Sequence, residues 1–237
     1  GTMCSYNFHW FLTPPIVNNN TSPKTKWNLR NKPLHFFIFV AAFIASGYFF
    51  FMLRHHWFWL CASALLTFLY TAPKMNFFPF IQLRKIALGK TIFLSLAWTH
   101  ITVMLPLLIS GLLWKNDMYL FSVNRFLLLY AICIIFDLRD RENDKKEGIR
   151  SLITLLDEKG NMRLFWGVMV LFFATSIWLC FYFPIIIVLA LTIPGIVVAA
   201  YSSYFRNTTS DYIYYFVLDG LMALSLPLLL IFQFLHL

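Results

Sequence analysis

Acidic residues are the scarcest chemistry in this sequence: ten among 237, and none before Asp117. All charged residues together make up 12% of the chain, against about 25% in a soluble domain. A chain this poor in charge cannot cover itself against water, which excludes an ordinary soluble globular fold. Cysteine is sparse too. Cys4, Cys61, Cys133 and Cys180 are scattered without ligand-like spacing, which gives no disulfide framework and no zinc site. The sequence has no P-loop, dinucleotide fingerprint, nucleophile elbow or HExxH helix. Nucleotide-driven, hydrolase and zinc-protease chemistry therefore has no support. Gly1–Trp10 carries no basic n-region and is no signal peptide, and no internal repeat is present.

What is abundant is hydrocarbon. Hydrophobic residues are 60% of the chain, the mean hydropathy is +0.70, and the apolar runs are continuous rather than alternating. Continuous runs near the ~20 residues needed to cross a bilayer predict helices, since an alternating pattern would mark a barrel. The expected fold is all-α, a polytopic transmembrane helical bundle of about seven full spans. They are placed at His35 to Met52, Trp57 to Ala72, Thr91 to Trp114, Met118 to Phe136, Leu164 to Phe183, Pro184 to Phe205 and Tyr212 to Phe234. One membrane domain, 1–237, is the simplest organisation. It comprises the end of an apolar segment (1–12), a polar loop (13–34), four spans (35–136), a charged loop (137–163) and three final spans (164–237).

A net charge of +9 would suggest nucleic acid in a soluble protein. Here the basic residues crowd short loops beside spans, so the bilayer is the expected partner and nucleic acid is not. Assigning alternate loops to two sides puts sixteen Lys and Arg on one side and Arg54 and Lys115 on the other, with Arg125 inside a span. The positive-inside rule makes the first side cytoplasmic. The chain is expected to be an integral, multi-pass membrane protein, in the plasma (inner) membrane if bacterial.

Half of the acidic residues lie in one segment, Asp137 to Leu152, directly after a span. If that helix continues outward, Asp137, Asp140 and Asp144 share one stripe at ~100° per residue. Two carboxylates at i and i+4 repel by about 0.2–0.5 kcal/mol unless a cation sits between them. Magnesium, which takes one or two carboxylates together with substrate phosphates, would serve. A solvated loop with ordinary i,i+4 ion pairs is the alternative reading of the same residues.

The pattern Asp137-x-x-Asp140-x-x-x-Asp144-x-x-x-Gly148-x-x-Ser151-Leu152 closely resembles the second aspartate-rich motif of the UbiA-type membrane prenyltransferases, with Ser151 in place of the usual Thr. Three spans follow it, as in that family. Four precede it, so in family register the first span and most of the second are missing. Tyr70-Thr71-Ala72-Pro73, followed by Arg84 and Lys90, resembles the family's Tyr-x-x-Pro and basic loop. The resemblance implies transfer of a prenyl group from a polyprenyl diphosphate to a lipophilic acceptor, often an aromatic ring, with Mg2+ as cofactor. It implies Asp137, Asp140 and Asp144 as metal ligands, and Arg141, Lys145, Arg84 and Lys90 as diphosphate contacts.

The family's first acidic motif has no counterpart. Asn7 matches its Asn, but Phe8 stands where its first Asp belongs, the following loop has no carboxylate, and His9 is a substitute candidate. A non-catalytic relative that binds an isoprenoid or a protein partner is therefore the alternative function. Within the spans, Asp219 is a candidate by its depth alone, and could pair with Arg125. Arg125 lies near its span's outer end, where snorkelling to water is expected.

Overall fold

In hydrocarbon a backbone amide has no water to bond, so an apolar chain must satisfy its N–H and C=O groups internally. The computed structural model describes residues 2–12, 23–71, 89–146, 151–208 and 210–234, and they contain helices and connecting turns but no strand. Two compact units divide the chain, Gly1–Ile86 and Ala87–Leu237.

The first unit holds α1 (Thr2–Leu12), α2 (Pro23–Arg30), α3 (Lys32–Met52) and α4 (Trp57–Thr71). Rings join α1 to α3, with Phe8 stacked on Phe39 at 5.0 Å and Phe11 against Phe36 at 5.3 Å. A tight 3-10 turn, Arg54–His56, reverses the chain into α4, where Trp57 stacks on Phe50.

In the second unit α5 (Gly89–Thr99) continues through a π-helical turn, His100–Met104, into Leu105–Ile109. Pro106 accounts for the widening. It lacks an N–H and its ring crowds the carbonyl one turn back, so the Leu105 amide bonds to His100 O instead. The span ends at Ile109 rather than at Trp114, because Gly111 turns the chain at φ +71°.

Next comes α6 (Asn116–Lys146), whose 31 residues make it ~46 Å long. It is the central helix of this unit, more deeply buried than α5 or α8. The short α7 (Leu152–Leu155) opens on a reciprocal cap, in which Ser151 Oγ accepts from Thr154 N and Thr154 Oγ1 accepts from Ser151 N. Asp157 caps α8 (Glu158–Leu179). Then follow α9 (Ile185–Ala200) and α10 (Ser202–Asn207). The last part is a π-helical stretch, Ile213–Leu218, running into α11 (Asp219–Ala223) and α12 (Ser225–Phe234) with a bend of 48°.

Among the described residues four helices are long and apolar enough to span, and the bent pair makes a fifth. The remaining two expected spans are represented by shorter apolar helices, α4 and α9. The core of this unit is Leu128, Ile132 and Ile135 of α6 against Phe165, Met169 and Phe172 of α8, Val198 of α9, and Tyr214 and Leu218. At Gly195 a Cβ would lie 2.1 Å from Phe172 Cε1, so glycine is what lets that ring lie on the α9 backbone.

Arg125 does not snorkel. Its guanidinium is buried and bonds to Asn124 Oδ1, to the Leu191 carbonyl at 2.6 Å and to Ser225 Oγ at 2.9 Å. It thereby ties α6 to α9 and α12. Asn124 donates in turn to Phe172 O, Thr175 Oγ1 and Ser176 Oγ on α8. Neutral acceptors converging from three helices make burial cheaper than reaching for the interface.

Candidate functional site

No Pro or Gly interrupts the chain between Phe136 and Lys146, so α6 runs on past its apolar part and carries the charged motif as regular helix. At ~100° per residue, Asp144 lies about 20° from the direction of Asp137, while Asp140 lies about 60° to one side. The side chains divide accordingly. Asp137 and Asp144 are buried, and the Asp140 side chain is 38% exposed.

Asp137 is gripped from α5, where the Thr91 hydroxyl donates to its Oδ2. Thr91, Ser95 and Thr99 form one buried stripe on α5 at i, i+4 and i+8. Ser95 and Thr99 return their hydroxyls to the carbonyls of Thr91 and Ser95, at 2.8 and 2.7 Å. The buried thiol of Cys133 lies one turn before Asp137 on α6. Asp219 opens α11, which packs against α6, whereas Arg125 is held by Asn124, Leu191 and Ser225.

Asp140 meets a different group. Arg139 Nε donates to its Oδ1 at 2.8 Å and Nη2 to its Oδ2 at 3.4 Å. The same guanidinium lies 4.3 Å from the Tyr214 ring centre, 5.1 Å from Tyr215 and 5.6 Å from Phe136, and it donates to Tyr215 Oη at 3.1 Å. Tyr214 is fully buried and anchored by its own bond to Phe205 O at 2.6 Å.

Of the basic residues expected near a diphosphate, Arg141 donates to the carbonyls of Ile153 and Leu156, which fastens α7 beneath the motif. Lys145 bonds Glu142 on the exposed face, at 3.1 Å. Arg84 lies outside the described residues. Tyr70 and Lys90 fall on described helices, but their side chains do not.

In the first unit, Asn7 is buried in a knot of neutral groups. Its Nδ2 donates to Met3 O at 2.8 Å, which turns its Oδ1 toward His35 Nδ1 at 2.7 Å. The other ring nitrogen, Nε2, lies 3.1 Å from Asn28 Oδ1, and Trp27 meets the ring edge-on. Asn28 Nδ2 is buried without a partner among the described residues. The side chain of His9 is not described.

Sequence reasoning missed Thr91, Arg139 and the Asn28–His35 contact. Two signals pointed there: the hydroxyl residues at four-residue spacing in an apolar span, and the adjacent tyrosines 214 and 215. Among the described residues no three His, Cys, Asp or Glu side chains converge as a cage for a metal ion. The donor set instead suits an ion held by one or two carboxylates, with its other positions filled by water and phosphate oxygens.

Compared with known proteins, residues 22–227 match the model of the UbiA prenyltransferase family. Asn7 lies before the matched stretch, and the whole acidic segment lies within it. No curated protein and no solved structure matches the chain.

Proposed function

Because the chain belongs to the UbiA prenyltransferase family, we propose that it transfers a prenyl group from a polyprenyl diphosphate to a lipophilic acceptor within the membrane. The observation that carries this reading is the unbroken α6, which turns the carboxylates of Asp137 and Asp144 inward at one end of the second unit's core. The diphosphate binds at that end. Asp137, Asp144 and the neighbouring Asp140 form the acidic side of the site, and Thr91 fixes the rotamer of Asp137. Magnesium bound there with the diphosphate would supply positive charge to the departing oxygen, easing allylic C–O cleavage.

Lys145 of α6 and Lys90, in the first turn of α5, add basic charge for the diphosphate. Arg141 contributes by holding α7 in place. Asp219, at the start of α11, offers a polar contact for the acceptor. The lysine and arginine bias puts this end at the cytoplasmic face, of the inner membrane in a bacterium.

The test is magnesium-dependent release of diphosphate from a labelled prenyl diphosphate by the purified protein in lipid vesicles. Release that is abolished by chelation and by Asp144→Asn supports the transferase. One observation favours a second reading, a non-catalytic isoprenoid or protein binder: Asn7, which matches the Asn of the missing acidic motif, is taken up by Met3 and His35. Isoprenoid binding without release, indifferent to Asp144→Asn, would establish that reading instead.

A further inference from the structure

The proposed reaction gives Arg139 no task, yet this motif-segment cation has elaborate surroundings. Adjacent residues on a helix point about 100° apart and do not normally meet. Arg139 nonetheless folds back along α6 to bond both oxygens of Asp140. What holds it there comes from another element. The π-helical stretch Ile213–Leu218 presents Tyr214 and Tyr215 together, and these rings with Phe136 surround the guanidinium at 4.3 to 5.6 Å. Tyr215 Oη accepts a further hydrogen bond, and Tyr214 is itself pinned by Phe205 O. Each contact favours a positive charge at this one place, through ring quadrupoles, a carboxylate and a hydroxyl oxygen.

We propose that Arg139 is a built-in cation of the acidic motif: it fills at Asp140 the position a divalent ion would otherwise take, leaving only Asp137 and Asp144 for metal. The inference rests on the prenyltransferase reading of this site and fixes which carboxylates serve the metal. The directions along α6 agree, since Asp140 lies about 60° off the Asp137 line, on the side of Arg139. A chain without a first acidic motif has fewer carboxylates to share among divalent ions, and a fixed guanidinium reduces the number required. Arg139 acts through Asp140 and is a positioning residue.

The experiment counts Mn2+ bound per chain, by electron paramagnetic resonance, on the full chain in detergent with inorganic diphosphate present. Arg139→Gln should bind one more Mn2+ than the unaltered protein, because Asp140 is released. Arg139→Lys, which keeps the charge, should keep the original count. Asp140→Asn in the otherwise unaltered chain should also leave the count unchanged, and it tests the idea even if Arg139→Gln fails to fold. A count that drops in Asp140→Asn means that Asp140 already binds metal and overturns the proposal alone, as does an unchanged count in folded Arg139→Gln. An unaltered chain that binds neither Mn2+ nor diphosphate overturns both this inference and the prenyltransferase reading.

Discussion

Two polar clusters, one in each unit, are built from opposite chemistry. In the first, Asn7, Asn28 and His35 join α1, α2 and α3 through groups that both donate and accept. In the second, α6 carries three aspartates within eight residues, and an ionised carboxylate only accepts. Amides and imidazole carry donors as well as acceptors and can fasten one another into a structural knot. Carboxylates must draw donors or cations from elsewhere, which is why Thr91 of α5 turns to Asp137 and Arg139 folds back to Asp140. The first cluster therefore reads as a fastening between helices, and the second as a place where positive charge is wanted.

That contrast can be broken most sharply at the carboxylates. Asp137→Asn or Asp144→Asn keeps size and removes charge, and should lower magnesium-dependent diphosphate release by about 100-fold or more. Release within a few-fold of the unaltered protein would put the second cluster on the same footing as the first. Arg125 supplies a case between the two, a buried cation among neutral acceptors. Arg125→Ala should cost about 2 kcal/mol of stability by stranding Asn124 and the Leu191 carbonyl, seen as a lower thermal midpoint with divalent-ion binding unchanged. His35→Ala breaks the knot with Asn7 and Asn28 and should cost about 1–2 kcal/mol in lost hydrogen bonding. If the magnesium concentration needed for release also shifts, the knot is part of the metal site and the contrast fails. The smallest effect is expected for Thr91→Val, which removes a single hydroxyl from Asp137. A several-fold loss of activity, corresponding to about 1 kcal/mol, would mark Thr91 as an aid to positioning.

Much of the fold could be read from the chain because lipid imposes a simple rule on it. Apolar runs of spanning length have to be helices, and α3, α6 and α8 lie where hydropathy puts them. The acidic motif was legible for a related reason: Asp137, Asp140 and Asp144 are among very few acidic residues, and their spacing is set along a single helix. The sequence could not show that the three split, two inward and one to Arg139, since that depends on where α5 and the π-helical stretch lie around α6. Nor could it show that Arg125 stays buried. Snorkelling is a property of one residue at one depth, whereas its burial depends on acceptors from positions 124, 191 and 225 converging on one point.

By itself, then, the sequence determined the apolar surroundings, helicity and the family motif, because these follow from local composition and from the periodicity of a single helix. The tertiary structure decided which charge meets which partner. A charge in a low-dielectric interior is stabilised or destabilised by groups within a few ångströms, and in this chain those groups come from helices up to a hundred residues apart, as with Arg125 and Ser225.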